Sequence, residues 1–271
     1  MKKPVQFEVM FPWQIVPAMA EAPIGYLPLG TLEWHGEHNV VGLDTLKAHA
    51  ICVRAAQISG GVVLPPFYWA TDEREDLPDG SSLTGGVEHG ERYHVPGNMF
   101  WLRPETYLNL LLDMYESMRR RGLRVIVVLA GHWSSGTLST IRESGAQFVA
   151  SRPEVKWLCV SDLELGADLG YLHEHAAAGE TSLLMAIRPE LVRKDLIFET
   201  GISLMDNYAS MPEHLQRRKS TSNKYIGILT AAADGSNDPE HASAERGRFL
   251  LETISARLAE RAKALLIEAR S

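Results

Sequence analysis

Short apolar runs alternate along the chain with segments whose apolar residues recur every three or four positions. "IGYLPLGTLE" (24–33) reads as a strand. The segment after it, "TLKAHAICVRAAQIS" (45–59), has helical spacing at Leu46, Ala50, Val53 and Ile58, with Asp44 or Thr45 placed to cap it. "GVVLPPFYWA" (61–70) predicts a second apolar strand, whose regular part Pro65 and Pro66 limit. A long polar segment, "TDEREDLPDGSSLTGG", follows as a loop. "RPETYLNLLLDMYESMRRRG" predicts a helix with Pro104 in its first turn, acidic Glu105 early, and Arg119, Arg120 and Arg121 at its end before Gly122. That order of charges complements the helix dipole.

"LRVIVVLAGH" (123–132) is the strongest strand, and its unbroken apolar run implies burial on both faces. The pattern then predicts a helix from about Thr137 to Val149 and a strand at "VKWLCVSD" (155–162). A last helix starts around Asp238–Pro239 or at Ser243, with Phe249, Leu250, Ile254, Leu258, Leu265 and Leu266 as its apolar positions. Strands alternating with helices imply an α/β fold with a mostly parallel sheet covered on both faces. No Pro/Gly/Ser-rich linker divides residues 1–271, so one domain is expected.

Composition narrows the functional classes. The net charge of −7 opposes binding to a nucleic-acid backbone, which needs a basic footprint. No apolar run approaches a membrane span, and Pro4, Gln6 and Glu8 interrupt any signal-peptide apolar region. The two cysteines, Cys52 and Cys159, lie in apolar-periodic segments and read as reduced core residues of a cytoplasmic protein.

Candidate chemistry gathers at "GTLEWHGEHN" (30–39). If the strand continues to Trp34, alternation sends Glu33 and His35 to one side. Gly36 turns the chain, and Asp44 returns a carboxylate where the next helix begins. His132 stands just beyond the buried strand, again at a carboxyl end, where open parallel sheets form sites. Glu33, His35, Asp44 and His132 are therefore the candidate metal ligands. Glu37 and His38, past the glycine, read as neighbours, and His49 as structural. In "YLHEHAAAGETS" (171–182), His175 is a candidate acid/base and Glu180 either a helix-start residue or a carboxylate that orients it. "GHWSSGT" lacks the P-loop lysine, and no Gly-x-Ser-x-Gly elbow exists, which disfavours nucleotide binding and serine hydrolysis.

These residues resemble the creatininase (creatinine amidohydrolase) family. "EWHGEHNVVGLD" is similar to its Glu-x-His-Gly-x-His…Asp motif, "LAGHWSSG" in part to its Asn-Gly-His-Gly-Gly-Asn, and "HAAAGETS" to its His-Ala-Gly-x-x-Glu-Thr-Ser. "PGNMFWLRPET" and "DGSNDPEHASAERGRFLLE" resemble two further family segments, so the similarity runs from about residue 24 to about residue 257. The resemblance implies a three-layer α/β/α fold, a site for two divalent ions, and a homo-oligomer, commonly a hexamer. Glu33 and His132 would hold one ion, His35 the other, with Asp44 bridging; His175 would be the acid/base and Glu180 would support the site. Ser134 stands where creatininase itself carries a metal-binding glutamate, and Trp133 is offered as a flat wall to a substrate ring, so creatinine is disfavoured as the substrate.

The mixed donor set suits Zn²⁺, Mn²⁺ or Fe²⁺. The expected activity is a metal-bound hydroxide opening a small cyclic amide. Two alternatives stand beside it. One is hydrolytic C–C opening of a cyclic polyol diketone, as in enzymes resembling 3-dehydro-scyllo-inosose hydrolase, with Ser134 holding hydroxyls; the other is a non-catalytic, metal-stabilised binding protein.

Overall fold

The computed structural model describes residues 3–71, 74–76, 82–84, 99–171, 174–197 and 235–271. Its strands are β1 (Ile24–Leu29), β2 (Val62–Val63), β3 (Ala70–Thr71), β4 (Arg74–Asp76), β5 (Ser82–Thr84), β6 (Trp101–Leu102), β7 (Val125–Ala130) and β8 (Lys156–Ser161). Its α-helices are α1 (Pro12–Glu21), α2 (Leu43–Ser59), α3 (Pro104–Arg120), α4 (Ser135–Ser151), α5 (Asp162–Gly166), α6 (Ala178–Ile187) and α7 (Ala244–Arg270). The central sheet runs β2–β1–β7–β8, every pair parallel. β3 pairs in parallel with β6, and β4 pairs antiparallel with β5.

Side-chain alternation along the central strands makes three layers. Ile24 and Tyr26 of β1, with Val125, Val127 and Leu129 of β7, pack on one face against Ile51 and Ala55 of α2 and Leu250, Ile254 and Leu258 of α7. Leu27 and Leu29, with Ile126 and Val128, face the other way onto Tyr107, Leu111 and Tyr115 of α3 and Ile141 and Phe148 of α4. Each fully buried aliphatic side chain here contributes about 1.5–3 kcal/mol. The architecture is the mostly parallel α/β/α sandwich that the alternation of patterns implies. Among the described residues, no helix is long and apolar enough to cross a membrane. Cys52 is buried and Cys159 half-buried, both as free thiols.

Several boundaries differ from the sequence pattern, each for a local reason. The strand expected over 24–33 ends at Leu29, where its ladder with Ala130 ends and the Gly30 N–H turns to the Phe67 carbonyl. The strand expected over 61–70 shrinks to Val62–Val63 before the prolines. α2 begins at Leu43 behind Gly42, so Asp44 lies inside its first turn instead of capping it. α4 begins at Ser135, two residues earlier than its periodicity suggests, because Ser134 caps it. For α7, the Ser243 hydroxyl accepts the Arg246 N–H at 3.1 Å and decides between the two expected starts. Most of the acidic segment 71–79, and His89, His94, His173 and His214, lie outside the described residues.

α6 and α7 pack tightly where Gly247 meets α6. A Cβ there would lie 1.8 Å from the Ser182 carbonyl oxygen. Gly247→Ala is expected to cost about 1–3 kcal/mol, as overpacking does. Thermal melting should show Tm lowered by several degrees.

Candidate metal centre

The last paired residues of three neighbouring strands, Leu29, Ala130 and Ser161, lie side by side at one edge of the sheet. The chain leaving β1 carries Glu33 and His35 and enters α2 with Asp44 in its first turn. The chain leaving β7 supplies His132, and the chain leaving β8 supplies Asp162 as the first residue of α5. Carboxyl ends of parallel strands are where such folds gather functional groups. Close approach is needed for this: a Cβ at Gly131 would stand 2.2 Å from the Asp44 carbonyl oxygen. Glycine at that position lets the start of α2 lie against the end of β7.

Asp44 shares its two oxygens between two histidines. Its Oδ1 is 3.2 Å from His35 Nε2, and its Oδ2 is 3.2 Å from His132 Nδ1. Glu33 Oε2 is 3.1 Å from the same His132 nitrogen, and Glu180 Oε2 is 3.8 Å from His35 Nε2. Donor atoms converge in three sets: Glu33, Asp44 and His132; His35, Asp44 and Glu180; Glu33, His35 and His175. Two ring orientations follow from backbone carbonyls, which only accept. His35 Nδ1–H donates to the Glu33 carbonyl at 2.9 Å, which turns Nε2 toward Asp44. His175 Nε2–H donates to the Trp34 carbonyl at 2.7 Å, and its ring lies 4.4 Å from that of His35. Glu33 and His35 do reach one site, although not as alternating strand residues. They stand on a loop after β1, where the Glu33 N–H bonds the Val41 carbonyl at 2.9 Å.

Lys47 lies one helical turn after Asp44 on α2 and is fully buried beside it. Its ammonium contacts Glu180 Oε1, Asp162 Oδ2 at 3.4 Å and Asp44 Oδ1 at 3.5 Å. It also donates to the Tyr171 hydroxyl at 3.3 Å and sits 3.9 Å from the centre of the Trp133 ring. On the far side of Glu180, the Glu180 N–H donates to Glu174 Oε1 at 2.6 Å, and the Asn237 amide donates to Glu174 Oε2.

The electrostatics bear the mark of crowded acid groups. Burial pushes the Glu33 carboxyl up, but His132 and His175 outweigh it and bring the pKa to about 2. Burial likewise opposes the Asp44 carboxylate, while His35 and Lys47 hold its pKa well below the usual range. Burial disfavours charged imidazoles, yet Asp44, Glu180 and Glu33 raise His35 to about 9. Glu33 and Asp44 raise His132 well above its ordinary value in the same way. Burial and the nearby Glu180 push Glu174 up to about 8, so this carboxyl holds its proton near neutral pH. Burial lowers His175, so that ring is neutral there.

The remaining candidates occupy other places. The Trp133 indole N–H donates to Asp162 Oδ1 at 2.6 Å and its face covers Lys47; the ring offered to a substrate is turned toward the cluster's ammonium. Ser134, also offered to a substrate, accepts the Thr137 N–H at 3.2 Å as the cap of α4. His38 is buried, with Nε2–H shared between the Ala176 carbonyl at 3.1 Å and Thr181 Oγ1 at 3.2 Å. Burial brings its pKa to about 4, so it braces the loop as a neutral ring. Sequence reasoning passed over Lys47, Asp162 and Glu174. Lys47 had a signal: a charged residue on the buried face of α2, one turn from Asp44. Asp162 had another, as the polar residue ending the strand "VKWLCVSD".

The donor set suits a divalent cation. Contacts of 3.1–3.2 Å among Glu33, Asp44 and His132 match neighbouring ligands of an ion bonded at about 2.1 Å. Among the described residues, the buried acids Glu33, Asp44, Asp162 and Glu180 outnumber the Lys47 ammonium, and the raised histidines respond to that excess.

The creatininase family model, described as creatinine amidohydrolase, matches residues 11–262. Creatinine amidohydrolase of Pseudomonas putida is 26% identical over 241 residues, 83% of each chain. A manganese creatininase structure has a TM-score of 0.71 at 22% identity, over 97% of this chain and 98% of that one. A creatininase variant described as a Zn–Zn type gives 0.67 at 22%, over the same shares. A putative creatinine amidohydrolase from Bacteroides fragilis gives 0.69 at 21%, over 98% of both chains. The structural likenesses carry the three-layer fold. Matched by the family model along most of its length, the chain belongs to the creatininase family.

Proposed function

We propose that this protein is a hydrolase that uses a bound divalent ion, Zn²⁺, Mn²⁺ or Fe²⁺, to open a small cyclic amide at its C–N bond. The observation that carries the reading is that Glu33, His35, Asp44, His132, His175 and Glu180, from separate segments, bring their donor atoms together in three overlapping sets of three. Glu33, Asp44 and His132 would hold the ion. A divalent ion there acidifies water and polarises a carbonyl.

The chain's own residues supply the proton handling. His175 commits Nε2–H to the Trp34 carbonyl, which leaves Nδ1 with a free lone pair. Since burial keeps the ring neutral, Nδ1 accepts a proton from the attacking water. The same nitrogen then delivers that proton to the leaving nitrogen as the C–N bond breaks, so water is added across the bond. Glu180 acts by positioning. Its Oε2 accepts the Ala176 N–H at 2.7 Å, and Ala176 holds a left-handed φ of 54° that few non-glycine residues adopt. Fixing that backbone fixes the residue before it, His175.

His132→Ala is expected to remove both bound metal, by elemental analysis, and turnover; retention of both would sink the assignment. His175→Ala should keep the metal while kcat falls about 10²- to 10⁴-fold, the range for losing a general acid/base. A substrate panel of lactams, formamides and cyclic polyol ketones should show turnover among the lactams. Turnover confined to the ketones would transfer the site to C–C ring opening. No turnover, with a chelator shifting only Tm, would make it a binding protein.

A further inference from the structure

Resting on the metal-dependent reading above, we propose that the centre holds one divalent ion, bound by Glu33, Asp44 and His132, with the Lys47 ammonium standing in place of a second. The two sets that share Asp44 are not equivalent. Glu33 Oε2 and Asp44 Oδ2 converge on His132 Nδ1, at 3.1 Å and 3.2 Å, a nitrogen that can exchange its proton for an ion. In the other set, His35, Asp44 and Glu180, both carboxylates already meet an ammonium. Lys47 contacts Glu180 Oε1 and lies 3.5 Å from Asp44 Oδ1. The second oxygen of Glu180 accepts the Ala176 N–H at 2.7 Å. A dication beside His35 would therefore share its ligands with a fixed positive charge, in a site screened from water where repulsion is strong.

Several partners hold Lys47 in this position. It is fully buried, and its ammonium also meets Asp162 Oδ2 and the Tyr171 hydroxyl. The Trp133 ring covers it at 3.9 Å, itself tied by its N–H to Asp162. Asp162 thus binds Lys47, Trp133 and Tyr171 together, the last at 3.0 Å. The segment after His132 brings no further carboxylate to the point, because Ser134 stands there and caps α4. His35, with Nε2 on Asp44 Oδ1, becomes a residue that orients the ligand.

The test is metal stoichiometry. The wild-type protein is saturated with Mn²⁺ or Zn²⁺, desalted, and measured by elemental analysis per chain; the Mn²⁺ form is also examined by electron paramagnetic resonance. One ion per chain with the spectrum of isolated Mn²⁺ is expected. Lys47→Met, neutral and of similar length, should rise to two ions per chain and give a spin-coupled Mn²⁺ spectrum. Two ions in the wild type would overturn the inference while leaving the metal-dependent reading intact. A Lys47→Met protein that folds and still binds one ion would also overturn it, since Lys47 would not be what holds the second place. No ion in the wild type would instead overturn the metal-dependent reading itself. The wild-type count and spectrum decide the matter even if the variant fails to fold.

Discussion

Asp44 is buried between two other buried acids, Glu33 and Glu180, at the edge where the strands end. Taking a carboxylate out of water costs several kcal/mol unless charge and hydrogen bonds replace the water. The fold supplies the replacement from the same helix, one turn on, as Lys47. This pairing sets the position of α2. Its first turn must lie over the ends of β1 and β7, which requires glycine at position 131 and a strand that stops at Leu29. The loop carrying Glu33 and His35 is then confined between that turn and the sheet. The site is thus the consequence of docking one charged helix start onto a parallel sheet edge.

A second line of contacts ties the site to the far end of the chain. Arg246, in the first turn of α7, donates to Asn237 Oδ1 at 3.1 Å. Asn237 donates to Glu174 through its amide and accepts the Ala178 N–H at 3.0 Å through its carbonyl. Glu174 receives the Glu180 N–H, and Glu180 holds both Lys47 and the backbone next to His175. Because Glu174 keeps its proton near neutral pH, this line adds hydrogen bonds without another negative charge. The C-terminal helix is therefore part of what orients His175, although none of its side chains is among the converging donors.

The layers were legible because the central strands carry apolar runs, unbroken in β7, and the covering helices carry periodic stripes, as Leu250, Ile254 and Leu258 do on α7. Glu33, His35, Asp44 and His132 were legible because short loops after parallel strands lead to one edge. The reason first given for Glu33 and His35 was nevertheless incomplete. Alternation requires a strand, and the chain there is a loop held by the Val41 carbonyl. Lys47 was missed because helical periodicity marks which face is buried, and a lysine on that face reads as a flaw in the stripe until its partners are known. Those partners, Asp162 and Glu180, lie more than 100 residues away in sequence. No local pattern joins them to Lys47.

Trp133 and Ser134, where the family motif breaks, gain a common explanation from that lysine. A buried ammonium needs acceptors and a face that tolerates positive charge, and an indole ring offers the strongest such face among side chains. With Lys47 beneath it, the residue after His132 turns its ring inward and its N–H to Asp162. The next residue then begins α4, and serine is among the preferred caps for a helix start. A glutamate there would add yet another buried acid to a cluster whose cation is already shared among Asp44, Asp162 and Glu180. The departures at positions 133 and 134 are therefore both fitted to the Lys47 ammonium, one by covering it and the other by adding no acid beside it.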